Sequence, residues 1–142
     1  MITLNKLQNP EQIRNLLRVD ALYKDLLEGF DINHSLLDLG STAWFEVEDN
    51  NEPIGIFFLK EMTSNTVIMN AGLFNKFRNK RSSEILKEAI QIIKKIKPYN
   101  FISTVKSSNL ASQKATERAG FKQIAIIPDG FDSGDLIMYG EI

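Results

Sequence analysis

The chain has no cysteine, one histidine and one tryptophan in 142 residues. Without cysteine there can be no disulfide, thiolate nucleophile or cysteine-ligated metal. His34 has no HxxxH-type partner, so a zinc site would need carboxylates gathered from elsewhere, and no metal is expected. Proline is scarce at four residues, and 43% of positions are apolar against 25% charged, which marks a folded chain and not a disordered one. No window of about 18 apolar residues occurs. The opening "MITLNKLQNPEQI" lacks a basic segment followed by an apolar run, so a cytoplasmic protein with no membrane segment is expected. A formal charge of −1 argues against a general nucleic-acid binder, whose footprint is usually a basic domain. The length suits a single domain, residues 1–142, with one sizeable core.

What is present is a clear succession of periods. "ITLNKL" reads as a short strand, and "NPEQIRNLL" as a helix with Asn9 as cap and Pro10 at its first position. A second helical run follows from Asp20 to Gly29, and Phe30 to Ser41 shows no period. From Thr42 the period becomes two, with Ala43, Phe45 and Val47 alternating against Trp44, Glu46 and Glu48. "DNNEP" is rich in turn formers and makes a hairpin with "IGIFFLKE", whose apolar run suits a central strand. "TVIMNAGLF" is a third strand. Ile85, Leu86, Ala89, Ile92, Ile93 and Ile96 then form the stripe of a helix from about Ser83 to Lys97. "FISTV" is a strand, "SSNLASQKATERAGF" a short helix capped by Asn109 and stopped by Gly120, and "FKQIAIIP" another strand. The turn-rich "PDGFDSGD" leads to a last strand, "LIMYGEI". The expected architecture is α/β: a mixed, mostly antiparallel sheet of six to seven strands flanked by about four helices.

The feature that asks for a ligand is "FNKFRNKRSSEILKEAI". Lys76, Arg78, Lys80 and Arg81 crowd the start of the amphipathic helix. Strand, helix and strand from Thr66 to Val105 form a βαβ unit, where the first N–H groups of a helix lack partners and its dipole is positive, so phosphate or pyrophosphate is the natural ligand. Ser82 and Ser83 add hydroxyl donors. A merely solvated basic turn, and a nucleic-acid or anion-binding module built on the knot, are the competing readings.

Taken in order from Trp44 to Tyr139, these pieces resemble the GCN5-related N-acetyltransferase (GNAT) superfamily. The resemblance rests on the register of an R/Q-x-x-G-x-G/A loop, occupied here by Arg78, Asn79, Lys80, Arg81, Ser82 and Ser83. It rests also on Asn109 followed by a short helix and Gly120-Phe121, and on Asp135 with Met138 in the last strand. It implies a loop that holds the pyrophosphate of acetyl-coenzyme A, used as a cosubstrate. The pantetheine would then lie in a gap between the fourth and fifth strands, along Ala71, Gly72, Leu73 and Phe74, with the Leu73 N–H donating to the thioester oxygen. Two departures stand out. Arg81 and Ser83 fill positions where small residues allow close approach to phosphate. Either the Arg81 side chain turns outward and reinforces the anion site, or the loop no longer accepts coenzyme A. And Thr116 stands where many members carry the tyrosine thought to protonate the leaving thiolate, which would shift that role to water, Tyr23, Tyr99 or Tyr139.

The implied activity is acetyl transfer to an amine of a small molecule or protein. Glu46, Glu48, Glu61 and His34 are nominated for the base. Trp44 and Phe57 read as core or a hydrophobic wall, and Asn70 as a site residue or a satisfied edge amide. The alternative is a GNAT fold that has lost catalysis and serves binding or assembly. The compact, Asn/Lys/Ile-rich chain also looks like GNAT-like proteins of tailed bacteriophages, some linked to head assembly. A final strand left unpaired at a sheet edge would pair with a second copy, which keeps a homodimer open.

Overall fold

Asn50 and Asn51 both take positive φ, 50° and 67°, and close the first hairpin between the paired residues Asp49 and Glu52. Asparagine tolerates the left-handed region, and two such residues in succession match the twist of the flanking strands. The strands are β2 (Thr42–Asp49) and β3 (Glu52–Glu61), and β1 (Ile2–Lys6) pairs antiparallel with β2. The computed structural model describes residues 1–22, 42–78, 81–131 and 134–141. The remaining elements are α1 (Pro10–Arg18), β4 (Thr66–Leu73), α2 (Ser82–Ile96), β5 (Asn100–Lys106), α3 (Leu110–Arg118), β6 (Phe121–Phe131) and β7 (Gly134–Glu141). Short 3-10 turns span Val19–Ala21 and Asn75–Phe77. The second helix expected from Asp20 to Gly29 lies outside the described residues beyond Leu22. Among the described residues no helix is long and apolar enough to cross a membrane.

All seven strands form one sheet, ordered β1-β2-β3-β4-β5-β7-β6, mixed and mostly antiparallel, with β4–β5 the parallel pair. The alternation read from the sequence sorts side chains to its two faces. Val47, Phe57, Leu59, Val67, Met69, Phe101, Val105, Ile137 and Tyr139 pack under α2. Trp44 and Ile56 pack on the other face against Ile13 and Leu17 of α1. The buried line of α2 runs Ile85, Ala89 and Ile93 at i+4 spacing, so it continues toward Lys97 and leaves Ile96 of the expected stripe 79% exposed.

At the C-terminal end one expectation is corrected and one condition is not met. "PDGFDSGD" is not all turn: β6 continues through Phe131, which pairs with Gly134, and the irregular register after Ile127 is absorbed at Asp129, with φ 53°. The Asp129 N–H donates to Asp135 Oδ1 at 3.0 Å. Nor is the last strand an edge. The crossover through α3 leaves one strand's width between β5 and β6, and β7 returns to fill it, pairing antiparallel with both. The edges are β1 and β6, and β6 exposes Ile124, Ile126 and Ile127.

A bulge in β3 fixes the approach of β3 to β4. Val47 pairs with Gly55 and Glu48 with Pro53, so Ile54 is the extra residue. A Cβ on Gly55 would sit 2.3 Å from the carbonyl oxygen of Gly72, a backbone atom that cannot swing aside. Gly55→Ala is therefore expected to cost about 1–3 kcal/mol as β4 is pushed outward. A fall in the urea midpoint checks this, and an unchanged midpoint would contradict it.

Candidate functional site

The parallel pairing of β4 with β5 covers four positions, Thr66 to Met69 against Asn100 to Ser103. Beyond them β4 runs on to Leu73 paired only with β3, and β5 runs on to Lys106 paired only with β7. A wedge opens between them. The Phe74 N–H donates to the Ile54 carbonyl at 2.9 Å, so residues 70 and 72 face β3 and the backbone groups of Ala71 and Leu73 turn toward the wedge. The Leu73 carbonyl accepts from Arg78 Nε at 2.9 Å.

At the mouth of the wedge stands the start of α2. Helices α1 and α3 are capped, the Asn9 side chain accepting from the Glu11 N–H at 2.8 Å and that of Asn109 from the Ser112 N–H at 3.1 Å. Helix α2 has no side-chain cap. Its start borders a cavity of about 1300 Å³ that runs through the wedge and is lined there by Arg78, Ser82 and Ser83.

Of the residues nominated from the sequence, Leu73, Arg78, Ser82, Ser83, Asn109 and Thr116 border this one cavity. Phe74 instead packs with the α1 cluster, and Asn79 and Lys80 lie outside the described residues. Arg81 turns away from the cavity. Its guanidinium pairs with Asp49 at 3.2 Å and Glu84 at 4.0 Å, and Asp49 also binds the N-terminal ammonium at 3.1 Å. The ammonium first, and Arg81 with it, holds the Asp49 carboxyl below the usual range. The side chain that threatened to fill the loop is thus drawn off to the β1–β2 edge.

Of the residues nominated for catalysis Thr116 borders the cavity, while Glu46, Glu48, Glu61, Tyr99 and Tyr139 are not among its lining residues. The buried Thr116 hydroxyl donates to the Ser112 carbonyl at 2.7 Å, a bond within its own helix. Glu61 sits at the far end of β3, opposite Val67, where it accepts from the Tyr99 hydroxyl at 2.5 Å. Tyr139 donates to Glu117 at 3.3 Å. Glu46 shares the α1 face of the sheet with Trp44, but two strand spacings, roughly 10 Å, separate its backbone from β4. Burial, and then the neighbouring Glu48, raise its pKa. Tyr23 and His34 lie outside the described residues.

Other residues border the cavity that the sequence did not single out. Lys60, Lys106, Lys114 and Arg118 join Arg78 there, and among the described lining residues there is no carboxylate. The i, i+4 spacing of Lys114 and Arg118 was the available signal for a shared helix face. Trp44 and Asn70, which the sequence did single out, also border it, Trp44 stacked on Phe58 with ring centroids 4.7 Å apart.

No family model matches the sequence, and no curated protein matches it. Solved structures do match in fold. A spermidine N-acetyltransferase from Vibrio cholerae in complex with coenzyme A and spermine superposes with TM-score 0.79 at 16% identity, over 98% of this chain and 94% of that one. An aminoglycoside acetyltransferase in complex with coenzyme A and kanamycin gives 0.78 at 15%, over 99% and 94%. A GNAT family acetyltransferase from Elizabethkingia anophelis with acetyl-coenzyme A bound gives 0.73 at 21%, over 99% and 97%. The chain has the GNAT fold over nearly its whole length, and at these identities the likeness is one of fold.

The raised pKa of Glu46 carries a sign that can be measured. A carboxyl whose folded pKa lies above its ordinary value, 4.5, stabilises the fold below that value and loses the contribution as pH rises through the folded pKa. Glu46→Gln cannot ionise, so its melting temperature relative to the parent is expected to be higher at pH 7.5 than at pH 4. An equal difference at both pH values would contradict the burial of this carboxyl.

Proposed function

We propose that the protein is an acyl-coenzyme-A-dependent N-acetyltransferase, a single domain over residues 1–142 that moves the acetyl group of acetyl-coenzyme A to an amine of a small molecule or protein. One observation carries the reading: α2 opens at the wedge without a side-chain cap, beside Arg78 and two serines. The positive end of a helix, with its first N–H groups, suits a pyrophosphate. The pantetheine arm would lie along β4, where Ala71 and Leu73 face the wedge, and would replace the strand partner that β5 ceases to be after Ser103. The bond from Arg78 to the Leu73 carbonyl would hold phosphate loop and strand in one frame.

In the reaction the neutral amine attacks the thioester carbon, and the C–S bond breaks as the tetrahedral intermediate collapses. The Leu73 N–H, directed into the wedge, is the donor for the intermediate's oxyanion. The amine's proton leaves to water and the thiolate takes one from water. Thr116 is committed to Ser112, and no carboxylate borders the cavity among the described residues. The rate should then follow the free-amine fraction, rising with pH up to the pKa of the acceptor.

A second reading, a GNAT-fold binding or assembly protein without turnover, is favoured by that same Thr116, whose hydroxyl serves its own helix. Titration calorimetry with acetyl-coenzyme A, run beside a thiol-release assay on an amine panel, separates the two. Binding is expected, weakened about tenfold or more by Arg78→Ala, since a charge-assisted bond contributes ~1.5–3 kcal/mol. Binding with no thiol released on any amine would count against turnover, and no binding would overturn the acetyltransferase reading and leave the assembly reading.

A further inference from the structure

The acceptor side of the wedge has a chemistry of its own. On the α1 face of the sheet the cross-strand pairs form rows. Thr42, Lys60 and Ile68 make one row and Trp44, Phe58 and Asn70 the next, which ends at the opening toward Thr104. Members of both rows border the cavity. Within this patch the Trp44 side chain is 1% exposed, and its indole Nε1–H has no hydrogen-bond partner. A buried indole N–H is a donor and nothing else, so whatever satisfies it must present an oxygen or another acceptor. Lys60 stands one row away, within the reach of its own side chain, and forms no ion pair among the described residues. Asn70, half-buried at the lip of the wedge, adds an amide.

Charge points the same way. Every charged side chain described along the cavity is a cation: Lys60, Arg78, Lys106, Lys114 and Arg118. With Arg78 turned to the pyrophosphate, the cations that remain favour the neutral form of an attacking amine over its ammonium, which helps a site with no carboxylate among its described lining residues. It also penalises every further ammonium that an acceptor brings in, and rewards a carboxylate. The aminoglycoside and spermine held by the structural neighbours carry several amines and would meet that penalty.

Resting on the acetyltransferase reading above, we propose that the acceptor is an amine that also bears an anionic group, of the amino-acid type, with its anion held by the Trp44 indole N–H and the Lys60 ammonium.

The test uses three amines of one length that differ at the far end: 4-aminobutyrate, butylamine and putrescine. Each is titrated by calorimetry into the full chain loaded with coenzyme A, which needs no turnover, and the thiol-release rate with acetyl-coenzyme A is measured in parallel. The expected order is 4-aminobutyrate, then butylamine, then putrescine, with about tenfold or more between the first and last, narrowing as salt is raised. Lys60→Gln, at an exposed position, and Trp44→Phe, which keeps the stacked ring, should each pull the preference of 4-aminobutyrate over butylamine toward one. A preference for putrescine would overturn the proposal and turn attention to Asp25, Glu28, Asp31 and Asp38 of the segment 23–41. So would variants that leave the preference intact, or failure of all three amines on a protein that binds coenzyme A. A protein that does not bind coenzyme A fails at the earlier step, and the calorimetric blank with the coenzyme alone identifies that case.

Discussion

Two neighbouring strands that run parallel for four residues and then part determine almost everything else about this molecule. A sheet satisfies its backbone by pairing, so a strand that leaves its neighbour inside a continuous sheet must find other partners or present its amides to a ligand. Here β7, entering by the hairpin from β6, takes the far side of β5, while β3 holds the far side of β4. The two flanks are fixed and the wedge between them stays open. Helix α2, packed by Ile85, Ala89 and Ile93, brings its uncapped start to the same opening. Backbone donors from a strand and from a helix thus converge on one cavity.

Arg81 shows how a bulky side chain just before α2 can be kept out of the cavity. Arg81 precedes the helix, with φ −86° and ψ −3°, and no left-handed backbone is needed there. Its bulk is removed by an ion pair to Asp49, at the end of β2, which is also tied to the chain's first residue. These are exposed groups, so the arrangement contributes direction more than stability. Asp49 belongs to the asparagine hairpin, and the conformation of that turn therefore bears on which way Arg81 points.

Much of this fold was legible from residues whose physics is local. The Asn50-Asn51 turn, the Asn9 and Asn109 caps and the i+4 line of α2 could be read because each is settled within a few neighbours. The basic knot at Arg78 was readable for the same reason, as a cluster of cations at a helix start. The extent of β6 was not, since Pro128, Asp129 and Gly130 are turn formers that here ride on pairing with β7. The faces of the sheet could be sorted by alternation, yet alternation does not say which face meets a cavity, so Lys60 and Lys106 were not singled out. Glu61 was nominated by residue type, and only the register, which sets it opposite Val67 beside Tyr99, shows it away from the wedge. Thr116 was visible as a departure; that its hydroxyl turns back to Ser112 required the helix.

The central claim, that the wedge between β4 and β5 and the start of α2 form one site for coenzyme A, is most directly tested by following backbone amide resonances during titration with the coenzyme. The account predicts saturable shifts at Ala71, Leu73, Ser82 and Ser83, together, with one dissociation constant. Shifts confined to exposed lysines, or none at these four amides at saturating coenzyme, would contradict it.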